Sequence, residues 1–210
     1  MYKAALLLVI ICILPLSTIG ETLHYGVKSG VTFANQDFEY TEFGLPDFDI
    51  RAGWDVGFFA EWRLLPAVSL ATALHYVQKG MTIKVSTMSY DSSPSGPVFA
   101  SFSSRVDYLS LPLLAKFSLP LGKARTYLFI GSRLDIKIGQ DATQGMEVVY
   151  DEFESSVWGG TIGIGQAFPL SSCVAALVEV YYHHDFTDAY ETDLLVVKNR
   201  AWGILVGVEL

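Results

Sequence analysis

Cysteine is almost absent: the 210-residue chain carries two, Cys12 and Cys173. Charge is also sparse, with 17% of residues charged against 51% hydrophobic and a formal net charge of −8. An acidic chain with a pI near 4.9 lacks the basic face on which a phosphate backbone docks, so nucleic acid is excluded as a partner. Long apolar runs are missing beyond residue 20: no later stretch has the 18 or more consecutive apolar residues of a helical membrane span. Low-complexity tracts are missing as well, and with so large an apolar fraction this excludes disorder as the main state. A mean hydropathy of +0.36 without a spanning helix suggests a chain that meets lipid in another way.

The one uninterrupted apolar run, Ala4 to Leu16, follows Lys3 and ends in Ser17-Thr18-Ile19-Gly20. This pattern reads as a secretory signal peptide over residues 1–20, cut after Gly20, with residues 21–210 forming one domain. Cys12 follows Val9-Ile10-Ile11 rather than the small residues of a lipoprotein acylation site. The mature chain then holds only Cys173, so no internal disulfide is available.

What the chain does have is period-two alternation. In residues 51–64, Ala52, Trp54, Val56, Phe58, Ala60, Trp62 and Leu64 alternate with Arg51, Gly53, Asp55, Gly57, Phe59, Glu61 and Arg63. Such spacing puts one set on each face of a strand. The same pattern sets Leu128, Ile130, Leu134 and Ile136 against Tyr127, Gly131, Arg133, Asp135 and Lys137. The last strand sets Trp202, Ile204, Val206, Val208 and Leu210 against Ala201, Gly203, Gly207 and Glu209. Eight strands are predicted, near 24–36, 51–64, 67–84, 104–118, 125–138, 155–168, 173–186 and 199–210. Tight turns are marked by Leu65-Pro66, Pro120-Leu121-Gly122 and Pro169-Leu170-Ser171, while connections of a dozen residues or more follow strands one, three, five and seven. An even strand count with long loops at one end matches an all-β, eight-stranded antiparallel up-and-down transmembrane barrel, with the loops outside the cell and both termini in the periplasm.

A soluble barrel of the lipocalin kind is the rival, and it would turn the apolar face inward. Its solvent face would then carry Gly53, Gly57, Ala71, Ala73, Gly131, Gly159, Gly163 and Gly203, residues better suited to the crowded inside of a narrow tube. The apolar face carries Trp54, Trp62, Tyr76, Phe117, Trp158, Phe168, Tyr182 and Trp202, many near strand ends, as in the aromatic girdles of a membrane barrel.

Four segments carry a family resemblance: Gly26-Val27-Lys28-Ser29-Gly30, Leu74 to Gly80 (LHYVQKG), Tyr108 to Lys116 (YLSLPLLAK), and Asn199-Arg200 before the last strand. They resemble the PorT-like outer-membrane β-barrel domain common in Bacteroidota, over nearly the whole mature chain. The resemblance implies an outer-membrane location, insertion by the barrel-assembly machinery and a fold, more than an activity. Relatives often carry Glu where this chain has Ala73 and Ser110, and an aromatic residue where it ends in Leu210.

An eight-stranded tube has room inside only for side chains. By parity the lumen receives Lys28, Asp55, Glu61, Arg63, His75, Lys79, Lys116, Arg133, Asp135, Lys137, Glu179 and Glu209. Charges of both signs buried together are expected to pair, giving a structural network; a narrow ion path is the alternative. Outside, acids cluster at Asp37, Glu39, Glu42, Asp47 and Asp49, at Asp91, at Asp141, Glu147, Asp151, Glu152 and Glu154, and at Asp185, Asp188, Glu191 and Asp193. These read as solvated loops, or as contacts for divalent cations or a protein partner. Phe38, Tyr40, Phe43 and Phe48 interleave with the first cluster, as a contact surface or as packing over the barrel mouth.

No calcium-loop spacing occurs, so no metal site and no cofactor are expected. Gly159 to Gly165 is rich in glycine, but Phe168-Pro169 follows it where a phosphate-binding loop would begin a helix. His183-His184-Asp185 stands where a lipid-modifying barrel enzyme would place its His, yet no Ser lies two residues from either His. The expected function is a non-enzymatic outer-membrane barrel with acidic external loops, surrounded by outer-membrane lipid and serving envelope structure, adhesion or secretion. A narrow porin is the second reading and a lipid-modifying esterase or deacylase the third.

Overall fold

A computed structural model describes residues 23–40, 48–87, 98–121, 124–142, 151–191 and 195–210. The expected signal segment lies outside the described residues. The strands are β1 (Leu23–Tyr40), β2 (Phe48–Leu65), β3 (Val68–Thr87), β4 (Val98–Leu121), β5 (Ala124–Asp141), β6 (Ser156–Pro169), β7 (Ala175–Asp185), β8 (Tyr190–Glu191) and β9 (Leu195–Glu209). Neighbours pair antiparallel in chain order, β7 passes directly to β9, and β1 pairs with β9 to close the sheet. β8 is a two-residue strip on the far part of β9. The wall is therefore a closed eight-stranded antiparallel barrel, as the alternation predicts. Closure lets the sheet satisfy its own backbone, the condition for crossing hydrocarbon with strands.

Alternation sorts the two faces. On β5, Leu128 and Ile130 are exposed on the outer wall, while Tyr127, Phe129, Arg133 and Asp135 are buried inside. Val56 and Val206 are about half exposed at 48% and 55%, whereas Asp55 and Glu209 are 1% and 5% exposed. Trp54, Trp62, Phe117, Trp158, Phe168 and Trp202 are exposed on the outside, with Tyr76 and Tyr182 partly covered. The soluble-barrel reading requires the opposite sorting.

Tight connections at 66–67 and 170–174, together with the pairing of Leu121 with Ala124, define one end of the barrel, the turn end. At the other, the loop end, β1 to β5 and β9 run past the predicted limits, while β6 and β7 stop within one residue of them. β4 has 24 residues and β7 only 11, and the β3–β4 ladder continues to Thr87 opposite Val98. The Ser- and Thr-rich flanks carry little hydrophobic alternation, but their backbones pair all the same. Asp37, Glu39, Asp49 and Asp141 accordingly lie on strands rather than in loops. Glu42, Phe43, Asp47, Asp91, Glu147 and Asp193 lie outside the described residues.

The tube is narrow, and large interior rings fit because glycine faces them across the ladder. A Cβ on Gly163 would overlap the Phe129 ring, and one on Gly203 the Tyr181 ring. Gly80 has a φ of 138°, near the bulge in the β2–β3 register between Ile50 and Asp55.

Candidate functional site

The lumen holds the densest chemistry in the molecule, in layers set by strand parity. At the turn-end rim, Arg125 Nη2 donates to both oxygens of Glu209 at 2.7 Å, and His24 Nδ1 stands 3.5 Å from the same carboxylate. Arg63 is half-buried near this end.

The next layer pairs two lysines with two glutamates. Lys28 Nζ donates to Glu179 at 2.7 Å, and Lys116 Nζ donates to Glu61 at 2.7 Å while lying 3.7 Å from Glu179. Tyr127 adds a hydroxyl bond to Glu179 at 2.8 Å. The ammonium groups also sit on ring faces, Lys28 at 4.2 Å from the Phe59 centroid and Lys116 at 3.9 Å from that of Tyr127. Two cations and two anions make the layer neutral, which limits the cost of taking four charges out of water.

Midway up, Asp55 bonds His75 Nδ1 and the Tyr181 hydroxyl, each at 2.5 Å, and Tyr181 also bonds Thr32 at 3.0 Å. Here lies a cavity of about 40 Å³, whose lining includes His75, Tyr181, Thr161 and His183. That is room for a few water molecules. Thr161 Oγ1 and His183 Nδ1 are buried without a hydrogen-bond partner among the described residues. His183 stacks on Tyr181 with centroids 4.2 Å apart.

Toward the loop end a second neutral quartet forms. Lys79 donates to Asp135 at 2.5 Å and to Asp185 at 3.5 Å, while Arg133 Nε lies 2.9 Å from Asp135 and its Nη2 pairs with Asp185. These four side chains are at most 1% exposed. Asn199 donates to Asp185 at 2.8 Å and accepts from Gln36 at 2.8 Å. Above them Met81, Val106, Tyr108, Phe153, Val157, Ala189 and Val197 form an apolar cap over the lumen. Lys137 is half-buried at this end, 3.3 Å from the Gln140 side-chain oxygen.

Seven of the nine residues predicted as the main lumen charges, Lys28, Asp55, Glu61, Lys116, Arg133, Asp135 and Glu179, are thus buried and paired, while Arg63 and Lys137 stand at the two mouths. One expectation is corrected. Asp185, taken as an external loop acid, is the fully buried end of β7 and anchors the Arg133–Lys79 quartet. Sequence reasoning also missed Thr32, Gln36, Tyr108, Tyr181, His183 and Asn199 as lumen residues. The signal for Asp185 was present: it shares the odd parity of Glu179, Tyr181 and His183. The same parity separates the His183-His184-Asp185 run, because His184 lies exposed on the outer wall between two lumen residues. Among the described residues, no group of three His, Cys, Asp or Glu side chains is arranged to hold a metal ion.

A closed antiparallel barrel with an apolar outer wall and a charge-filled interior is the architecture of a membrane-embedded β-barrel. The chain belongs to the outer membrane protein β-barrel domain family, whose sequence model matches residues 17–191. Membership implies an outer-membrane location. No curated protein matches the chain by sequence. Among solved structures it is similar to the outer membrane protein OprG from Pseudomonas aeruginosa, at 11% identity and a TM-score of 0.53, covering 90% of this chain and 95% of that one. It is equally similar to Neisserial surface protein A, at 11% identity and a TM-score of 0.53, covering 90% of this chain and 96% of that one. At such identity the likeness is one of fold.

Proposed function

We propose that the protein is a non-conducting, non-enzymatic outer-membrane barrel whose lumen is a structural core and whose loop end presents the interacting surface. The observation that carries this reading is the filling of the lumen: two neutral charge quartets, with an apolar cap above the second. An ion path would need mobile charges and continuous water, whereas these groups are locked to one another. The turn end with both termini faces the periplasm, following the short-turn rule for such barrels, and residues 1–20 act as the export signal. The extended strands at the loop end, with acids such as Asp37, Asp49 and Asp141, then project outside the cell and meet a basic protein surface or divalent cations. The PorT-like resemblance of Leu74–Gly80 and Tyr108–Lys116 supports a role in secretion or envelope organisation. Recording from the purified protein in planar bilayers tests the reading: a silent membrane is expected, and steady unitary openings would refute it in favour of a narrow channel. Lipid A from cells carrying the wild type or His184→Ala should be identical; a changed lipid profile would argue for an enzyme.

A further inference from the structure

The outer wall of β7 and β9 is graded by depth at the loop end. Val180 stands opposite Ile204, Tyr182 opposite Trp202, and His184 opposite Arg200, one rung after another toward the loops. Tyr182 and Trp202 touch with ring centroids 4.7 Å apart, and His184 stacks beyond Tyr182 at 6.3 Å. Aliphatic, then aromatic, then cationic is the order in which a membrane passes from hydrocarbon through its interface to the lipid phosphates. Lys198 lies farther out on the same strand.

Arg105, Lys198 and Arg200 lie on the lipid side of the wall at the loop end, whereas Lys28, Lys79, Lys116 and Arg133 are buried in the lumen. Arg105 is held by two carboxylates, Asp107 at 3.2 Å and Asp141 at 3.8 Å. Among the described residues, Arg200 and Lys198 each have one, Asp37 at 2.9 Å and Asp188 at 3.3 Å. Both of these pairs are partly exposed, with 46% of the Arg200 side chain and 39% of the Asp37 side chain accessible. Exposed pairs of this kind are weak, and a doubly charged phosphate monoester competes well for a guanidinium.

We infer that His184, Lys198 and Arg200 form a binding site for the phosphate of a membrane lipid, whose chains lie along Tyr182, Trp202 and Ile204 below. The guanidinium provides bidentate donors, the lysine a second cation and the imidazole a further donor. The inference requires a membrane-spanning barrel but not a particular end outside the cell, so it stands or falls separately from the silent-lumen reading.

Native mass spectrometry of the detergent-released full chain, titrated with dioleoyl phosphatidic acid or with dioleoylglycerol, measures the site. The phosphate-bearing lipid should be retained about tenfold more than its neutral twin, and His184→Gln/Lys198→Gln/Arg200→Gln together should erase the difference. Arg105→Gln should leave retention within about twofold, and Asp37→Asn should raise it by freeing Arg200. Heat-dependent gel mobility reports that each variant is still a closed barrel. Equal retention by the triple variant, equal loss in Arg105→Gln, or a fall in Asp37→Asn would overturn the site. Displacement of the lipid by millimolar inorganic phosphate would show a free-anion site in place of a lipid site, and would also overturn it.

Discussion

The two ends of the lumen are built differently. At the turn end a recess of about 460 Å³ is lined by His24, Arg125, Glu209 and the 170–174 turn, and the side chains of His24 and Arg125 remain 26% and 23% exposed. At the loop end, Lys79, Arg133, Asp135 and Asp185 are dry beneath an apolar cap. Charge is present at both ends, but water shares the work only at the first. In the dry quartet each charge depends on its protein partners, so pairing there is a condition of folding, whereas at the rim it is a modest addition.

This contrast can be tested by removing one carboxylate from each end. Asp185→Asn leaves Arg133 and Lys79 with one buried anion between them, and is expected to destabilise the barrel by roughly 3–5 kcal/mol in urea unfolding from vesicles. On the wall that both ends share, Ile130→Arg is expected to cost about 2–4 kcal/mol, because it places a charge in mid-bilayer; a neutral result would deny that this face meets lipid. Gly203→Val sets a side chain against the Tyr181 ring and is expected to cost about 1–3 kcal/mol, read as a lower temperature for the gel-mobility shift. The smallest effect belongs to Glu209→Gln at the rim, about 1 kcal/mol or less, since water can solvate Arg125 in its place. Should Glu209→Gln and Asp185→Asn cost the same, the distinction between a wet rim and a dry quartet fails.

Much of this arrangement was legible in the sequence because period two is a strict code. Once Trp54 is assigned outside, Asp55 must point in, and the code held from Lys28 to Glu209. It weakened where hydrophobic contrast faded. The Ser- and Thr-rich ends of β3 and β4 alternate too faintly to show how far the ladder runs. Asp185 was misplaced because an acid at a strand end resembles a loop residue unless its inward partners are known, and those partners, Arg133 and Lys79, are 52 and 106 positions away in the chain. The cap was invisible for the same reason. Phe153 and Ala189 belong to connections between strands, and only the folded barrel brings them to Met81 and Val106.

The asymmetry of the lumen is tested most directly by comparing two single thiols in a Cys173→Ser background, Ala175→Cys in the turn-end recess and Ala189→Cys in the cap. With a small charged thiol reagent supplied to both sides of the reconstituted membrane, Ala175→Cys should react at least about tenfold faster, because thiolate chemistry requires water and access. Equal rates, or a faster reaction at Ala189→Cys, would mean that the loop end is open and that the lumen is not sealed there.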